Sequence, residues 1–337
     1  MNNNDVWVTF LVHGFAGAIG AKDWYQEYRT AIGEKYGTQD RVVIVGEVVW
    51  KDGSNAIIDS TSSRKELDYP LTQVHEYSKV ADRAYTDLLM DAFMCGSTSD
   101  LSGYSTAASN TMIVGHALGK LTESLYEADV HDALKTFCIG HSLGSHVCGF
   151  AGKTQILDGI IGIDPAGPIF EDNFIDGRLS KDDAKFVQTL HVDAGELGID
   201  EAIGHQNVFI NGGINQPGCR GTLSEAVCSH SPFAINFLLE MVKQDREEPI
   251  CYATLKCASE TEAMGENHDS CIQVEASVAV GSLMNNVTED NSGIFYLDTE
   301  TDENDPCYFT IESLEENAYG YSDFLKGINT FFDTYFP

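Results

Sequence analysis

Basic residues are scarce in this chain of 337 residues. It carries 20 Lys and Arg against 52 Asp and Glu, which gives a formal net charge of −32 at pH 7. Proteins that bind nucleic acid or strongly anionic lipid present clustered positive charge to the phosphates. The composition therefore predicts no nucleic-acid partner and argues against tight binding to strongly anionic membranes. We interpret the acidity as a solubility device or an adaptation to a saline environment.

Long hydrophobic runs are also absent. A helix that crosses a bilayer needs roughly 18 or more consecutive apolar residues, and no segment reaches that length. The sequence therefore predicts no transmembrane segment. It opens with "MNNNDVWVTFLVHGF", which has neither the basic start nor the cleavage site of a secretory leader. We interpret the chain as a mature or trimmed form.

The acidity is concentrated toward the end of the chain. From Met241 to Pro337 there are 20 acidic and four basic residues, so about half of the net charge lies there. The run "DTETDENDP" (298–306) lacks the glycine and the final glutamate of an EF-hand loop. We expect a solvated loop over these residues.

Six of the nine cysteines lie in the second half of the sequence. Grouped cysteines of this kind predict disulfides, an oxidising compartment and secretion. The first two of them could close a short loop, and the pairing of the other four stays open at this point. The six are Cys219, Cys228, Cys251, Cys257, Cys271 and Cys307.

The three earlier cysteines differ in character. Cys138 and Cys148 stand in apolar surroundings, and we expect them to be buried free thiols, as small hydrophobic residues often are. With Cys95 the total is odd, so at least one cysteine stays unpaired. Asn286-Val287-Thr288 is an N-glycosylation sequon, which agrees with secretion.

Segments typical of strands and helices alternate over the first 165 residues. Such alternation predicts a mostly parallel sheet with helices on both faces, that is, an α/β fold. Ligands of these sheets bind at the carboxyl ends of the strands. Strands are predicted over 6–12, 41–50, 135–139 and 158–168, the last of which ends in a Pro-flanked loop, with helices over 24–37, 80–94 and 144–154. Strand patterns return later in "IQVEASVAVG" and "GIFYLDT", and no linker marks a domain boundary.

Gly140-His141-Ser142-Leu143-Gly144 fits the pattern G-x-S-x-G at the junction of a predicted strand and a predicted helix. In this pattern the serine occupies a tight turn, and small neighbours let strand and helix approach each other. The backbone N–H of Leu143 is then a candidate oxyanion donor. A near copy, Gly-His-Ala-Leu-Gly at 115–119, has Ala117 in place of the serine.

A serine hydroxyl is a poor nucleophile without a base. Asp164 follows the next predicted strand, and His230 follows later, so the chain order is Ser, Asp, His. Each has an ordinary alternative, since Asp-Pro is a common turn starter and His230 could be a surface histidine. Phe15, in "LVHGF", is the candidate second oxyanion donor. We expect His13 to pack behind that loop and His205 to be structural.

Together these motifs resemble the catalytic domain of the animal lipase family that includes pancreatic lipase and secreted phospholipases A1. The matching stretches run in family order from residue 11 to 299: "VHGF", "GHSLGSHVCGFAGK", "GIDPAGPIF", "DDAKFVQTLHVDAGELG", "IGHQNVFINGGINQPGC", "CSHS" and "FYLDT". The resemblance implies an α/β-hydrolase fold over one domain, 1–337. It implies Ser142 as nucleophile, Asp164 as acid and His230 as base, with oxyanion donors at Phe15 and Leu143.

The resemblance also implies a substrate class. Cys219 and Cys228 match the anchors of the family's lid, and only eight residues, "RGTLSEAV", lie between them. The segment "ELGIDEA" is short as well. Short loops at both places are the pattern of the phospholipase A1 members and leave room for a polar head group. We therefore expect hydrolysis of the sn-1 ester of phospholipids at a transient lipid interface, with triacylglycerol or galactolipid hydrolysis as the alternative.

The chain departs from the family pattern in three places. It starts at the "VHGF" strand, whereas family members usually have earlier strands. No C-terminal β-sandwich is expected after "FYLDT". The family's calcium loop is only partly matched, because Asp183 is kept but Ser180 replaces an acidic ligand. We expect no metal and no cofactor.

Two hypotheses of other classes remain open at this stage. One is a non-catalytic binding or storage protein on the lipase fold, against which the complete Ser–Asp–His order argues. The other is an acidic matrix or mineral-associated protein, for which only the charge speaks. The leading expectation is a secreted, extracellular serine esterase.

Overall fold

A nine-stranded sheet forms the centre of the part of the chain that the structure describes. The structure is a computed structural model. It describes residues 5–14, 24–38, 41–48, 50, 101–129, 134–171, 175–219, 225–244, 250–264, 268–283, 285–300 and 302–310. The predicted helix over 80–94, Cys95 and Phe15 lie outside these residues.

Eight of the nine strands of the described sheet run in one direction, and β7, the second strand from one end, runs against them. The order is β2-β1-β3-β4-β5-β6-β9-β7-β8, with β7 antiparallel to both of its neighbours. This arrangement confirms the predicted α/β-hydrolase class of fold. The strands are β1 Asp5–Val12, β2 Arg41–Val48, β3 Leu134–His141, β4 Gly159–Ile163, β5 Val187–His191, β6 Gln206–Ile210, β7 Tyr252–Cys257, β8 Ile272–Ala279 and β9 Gly293–Leu297.

Helices cover both faces of the sheet. On one face, α1 and α5 pack over a buried core that includes Tyr28 and Phe237, and on the other face α2 and α3 pack over a core that includes Leu118 and Val147. The helices are α1 Trp24–Tyr36, α2 Leu101–Ala128, α3 Leu143–Thr154, α4 Glu225–Cys228, α5 Ala234–Lys243 and α6 Glu260–Ala263. A π-helical turn, Ser229–Phe233, joins α4 to α5, and short 3-10 turns occupy Ile175–Gly177, Lys181–Asp183, Asn211–Gly213 and His268–Ser270.

The strand β2 differs from its sequence-based interpretation. Its run of β-branched residues is typical of a buried strand. In the structure β2 ends the described sheet and pairs there with β1, and Val42 and Ile44 are 46% and 50% exposed. Since a β-branched run favours any strand, burial does not follow from it.

Eight cysteines form four disulfides in the structure, which corrects one expectation and settles another. Cys138 and Cys148 are not free thiols but form a disulfide. The sequence interpretation was wrong because it judged each cysteine by its apolar neighbours, whereas pairing depends on the approach of β3 and α3. The open pairing of the last four cysteines resolves as Cys251–Cys307 and Cys257–Cys271, and the loop anchors pair as Cys219–Cys228.

The carboxyl ends of the parallel strands bring the predicted site together. Ser142 follows β3 and Asp164 follows β4. Parallel strands end at the same edge of a sheet, so both residues lie at one edge, as ligand sites of such sheets do. No helix within the described ranges combines the length and hydropathy that a bilayer crossing requires.

Candidate active site

Ser142 occupies a strained turn between β3 and α3. Its φ and ψ are 55° and −125°, a conformation that costs a non-glycine residue about 1–3 kcal/mol. The two glycines of the motif permit the turn: a Cβ on Gly140 would lie 2.6 Å from the Ser145 nitrogen, and one on Gly144 would lie 2.7 Å from the His13 oxygen. The pattern G-x-S-x-G therefore has a steric basis in this chain.

Gly14, two residues after the end of β1, packs against Ser142. A Cβ on Gly14 would lie 2.7 Å from the Ser142 Cβ and 3.2 Å from its Oγ. His13 packs behind this contact as expected, stacking on Trp50 at 5.6 Å, while Trp50 Nε1 donates to the His13 oxygen at 3.0 Å. The loop that carries the predicted oxyanion donor Phe15 thus begins beside Ser142.

Leu143 is the first residue of α3 and is fully buried. The first N–H groups of a helix have no acceptor within the helix, and they lie at its positive end. The predicted oxyanion donor therefore stands at the helix terminus next to Ser142.

Asp164 is fully buried and holds several hydrogen bonds. Its Oδ1 accepts the backbone N–H groups of Val192 and Asp193 at 2.9 and 3.1 Å. Its Oδ2 lies 2.6 Å from His230 Nδ1. Gly198 packs directly on the carboxylate, where a Cβ would come within 2.5 Å of Oδ1. Asp164 is therefore fixed by its surroundings and paired with the predicted base.

His230 lies in the π-helical turn that follows α4, and its side chain is 12% exposed. His141, the residue before Ser142, contacts it from the other side: His141 Nε2 lies 2.7 Å from the His230 backbone oxygen, and the two rings are 4.9 Å apart. Burial lowers the pKa of His141 to about 3, so His141 is neutral and Nε2–H is the donor. This bond connects the turn that carries Ser142 to the π-helical turn Ser229–Phe233 that carries His230.

Asp193 is a second carboxyl in the site, and no local motif of the sequence predicts a role for it. The ligand atoms of Asp164, Asp193 and His230 lie within 4.8 Å of one another. Burial and then the charge of Asp164 raise the pKa of Asp193 to about 9. Asp193 therefore favours its uncharged form beside Asp164. Its place in the candidate site is seen only from its proximity to Asp164 and His230 in the structure.

The family's calcium loop does not fit a metal in this chain. Asp183 Oδ1 is paired with the Lys153 ammonium at 2.6 Å, and its Oδ2 accepts the Ser180 N–H at 2.8 Å. Burial raises the pKa of Asp183, and the charge of Lys153 acts in the opposite direction. A lysine thus compensates the one retained acidic residue. His205 has a structural contact, since its Nδ1 accepts the Val187 N–H at 3.1 Å.

Comparisons with known proteins agree with this geometry. A protein-family profile described as Lipase matches residues 94–242. The phospholipase A1 of Vespula squamosa is 37% identical over 216 residues, which are 61% of this chain and 67% of that protein. The chain belongs to the lipase family. Within it the chain is phospholipase A1-like, which places it among the carboxylic ester hydrolases.

Further relatives of this lipase-family chain match over shorter segments. A phospholipase A1 of Vespa crabro is 36% identical over 172 residues, 48% of this chain and 56% of the relative. The phospholipase A1 2 of Polistes dominula is 41% identical over 155 residues, 44% and 47% of the two chains. The chain thus spans about half the length of these two. A solved phospholipase PlaB from Legionella pneumophila in complex with thio-NAD aligns at a TM-score of 0.23 and 12% identity, covering 56% of this chain and 38% of that one, which is too little overlap for any argument.

Proposed function

We propose that this chain is a secreted phospholipase A1 that hydrolyses the sn-1 acyl ester of phospholipids through an acyl-enzyme on Ser142. The observation that carries the proposal is the buried Asp164–His230 pair, at 2.6 Å, which His141 connects to a serine in a strained strand-to-helix turn. The names of the relatives supply the substrate class. Neither a binding role nor a storage role requires such a pair.

The proposed reaction has two halves. Ser142 Oγ attacks the sn-1 carbonyl carbon while His230 Nε2 takes the hydroxyl proton, and the N–H groups of Leu143 and Phe15 stabilise the oxyanion. The C–O bond to glycerol then breaks, and His230 returns the proton to the leaving oxygen. In the second half, water gives its proton to His230 and attacks the acyl carbon, which releases the fatty acid and restores Ser142.

Asp164 supports both halves without gaining a proton. It accepts His230 Nδ1–H, which fixes the imidazole tautomer and stabilises the imidazolium that forms in each half. Two backbone N–H groups hold the other oxygen of Asp164 and share its charge. Asp193 favours its uncharged form beside Asp164, so the two carboxyl groups do not repel each other.

The short lid supports phospholipid over triacylglycerol or galactolipid. Eight residues lie between Cys219 and Cys228, and the disulfide that anchors them directly precedes the turn carrying His230. A short lid offers little apolar surface to enclose a bulky neutral lipid, and it leaves space for a head group.

Secretion is part of the proposal. The four disulfides are stable in an oxidising compartment and rare in the cytosol. The sequon at Asn286 agrees with that location.

A substrate panel tests the proposal. Purified protein and a Ser142→Ala variant are given phosphatidylcholine, triolein and a monogalactosyl diacylglycerol, and fatty-acid release is measured. We expect release from phosphatidylcholine to be fastest and to disappear in the variant. Equal release by the variant would contradict the proposal, and faster release from triolein or galactolipid would replace its substrate class. If the intact protein also fails to react with a fluorophosphonate at Ser142, the non-catalytic binding protein becomes the better account.

A further inference from the structure

A disulfide spans the turn that carries Ser142. Cys138 lies on β3, four residues before the serine, and Cys148 lies on α3, six residues after it. Their Cα atoms are 5.7 Å apart, and neither residue is exposed to solvent. The covalent ring that they close contains all of Gly140–Gly144.

The strained backbone at Ser142 needs support from the residues around it, and the disulfide lies where it can provide that support. A backbone in a sparsely populated conformation persists only where its surroundings over-determine it. The turn has hydrogen bonds of its own: the Ser142 N–H donates to the Ile163 oxygen at 3.0 Å, and Ser145 Oγ donates to the Gly140 oxygen at 2.8 Å. The second of these bonds joins α3 directly to β3, so it requires the two to keep their separation.

The disulfide acts on this separation. Cys138 sits between Phe10 on β1 and Ile160 on β4 in the register of the sheet, so its Cα position is set by three strands. Cys148 is in the second turn of α3, on the side that packs on the sheet. The bond therefore ties the helix to the most constrained part of the strand.

We propose that the Cys138–Cys148 disulfide is a positioning element that holds α3 against β3 and thereby keeps Ser142 in its reactive backbone conformation. The inference rests on the proposed function in taking Ser142 as the nucleophile. The other three disulfides have different places: Cys219–Cys228 beside the histidine turn, and Cys251–Cys307 and Cys257–Cys271 in the C-terminal part of the described chain.

An ordinary stabilising role is the alternative, and a matched pair of variants separates the two. The test variant is Cys138→Val with Cys148→Ala, which keeps an apolar strand residue and a good helix former. The control is Cys257→Val with Cys271→Ala. It removes a disulfide of similar loop length that lies away from the turn Gly140–Gly144, which we call the elbow. Both are studied at a temperature at which circular dichroism shows them fully folded.

Two readouts follow the elbow itself. Hydrogen exchange of the backbone amides over 142–145 should become about tenfold faster in the test variant, because local opening no longer requires stretching the ring. Fluorophosphonate labelling of Ser142 should become about fivefold slower, because a displaced nucleophile reacts less readily. In the control both rates should stay within about twofold of those of the parent, whatever its melting temperature.

Several results would overturn the inference. Unchanged exchange and labelling in the test variant, with only a lower melting temperature, would leave the disulfide a plain stabiliser. Alkylation of both sulfurs in the unfolded, unreduced parent would show that no bond exists. If the parent is not labelled at Ser142, the proposed function fails, and the exchange comparison still decides whether the disulfide holds the elbow.

Discussion

At the scale of single residues, the Asp164 carboxylate organises the candidate site. A buried charge is stable only when it is well supplied with hydrogen bonds. Asp164 obtains them from His230 and from two backbone N–H groups of the loop after β5. Asp193, whose N–H is one of these donors, adds an uncharged carboxyl beside it.

The raised pKa of Asp193 makes stability depend on pH. Because this pKa is about 9 in the folded chain and about 4 in the unfolded one, the folded protein binds more protons between these values and loses stability as pH rises through them. Asp193→Asn keeps an uncharged group that still accepts the Leu197 N–H. We expect the variant to be more stable than the parent at pH 7, by about 1–4 kcal/mol, with a flatter profile up to pH 9.

Urea unfolding at pH 5, 7 and 9 measures this effect. Asp290→Asn, a change at an exposed carboxylate, is the control and should leave the profile of the parent unchanged. A loss of stability with pH that is as steep in Asp193→Asn as in the parent would show that Asp193 is ionised in the folded protein.

A serine introduced at Ala117 provides a second test of Ser142 as the nucleophile. It is the middle residue of the near copy Gly-His-Ala-Leu-Gly and lies on the exposed face of α2. Ser142→Ala should lower kcat by about 10³-fold or more, and adding Ala117→Ser should restore nothing, since the Asp164–His230 pair lies at the other pentapeptide. The measurement is esterase activity of both variants, and any rescue by the second serine would contradict the placement of the site.

At the scale of elements, the near copy has a packing role of its own. Gly115 and Gly119 are four residues apart, hence on one face of α2, and this face meets α3. A Cβ on Gly115 would lie 2.6 Å from the Val147 oxygen, and one on Gly119 would lie 2.5 Å from the Thr154 Cβ. The likeness of the two pentapeptides thus reflects a shared need for small residues: at a turn in one and between two helices in the other.

The helix contact leads to a stability prediction. Gly119→Ala should lower the free energy of unfolding by about 1–3 kcal/mol, because the added methyl group separates α2 from α3. Gly33→Ala on α1 is the matched control: among the described residues, no atom outside the backbone of its own helix lies within 4 Å of an added Cβ, so the better helix former should raise stability by about 0.5–1 kcal/mol. Chemical denaturation of both variants decides, and equal effects would mean that the helices are not in close contact.

The sequence predicted those elements that carry a strong local pattern. The strands β1, β3 and β4 and the helix α3 were found because apolar runs and glycine turns are local signals. Two features depend on distant approaches and could not be found in this way: the Cys138–Cys148 bond, and the neighbourhood of Asp193 and Asp164, which lie at the ends of adjacent strands. The position of β9 between β6 and β7 is of the same kind, since no local pattern specifies a strand's neighbours.

At the scale of the whole molecule, the candidate site and the glycosylation sequon lie at opposite ends of the parallel strands. The carboxyl ends of the parallel strands hold Ser142 and Asp164. The loop that precedes β9 lies at the opposite edge, because β9 runs parallel to β6 and begins there. This loop contains Asn286 and Thr288, both exposed, and the hydrogen bond shown for Asn286 uses its backbone oxygen.

That separation makes the sequon a test of secretion. Expressed through the secretory pathway of an insect cell, the chain should carry one N-linked glycan at Asn286, and Asn286→Gln should abolish it without changing the rate of hydrolysis. Intact mass before and after glycosidase treatment measures the glycan, with Thr288→Ala as a second variant that should also lose it. An unmodified Asn286 in secreted protein would contradict this prediction.

The position of the ester that is cut tests the central claim most directly. Phosphatidylcholine with a saturated chain at sn-1 and an unsaturated chain at sn-2 is incubated with the protein, and the released fatty acid is identified by mass spectrometry. The proposed function predicts early release of the sn-1 chain together with a 2-acyl lysophospholipid, and no release by Ser142→Ala. Release of the sn-2 chain, or of both chains equally from the first turnovers, would contradict it.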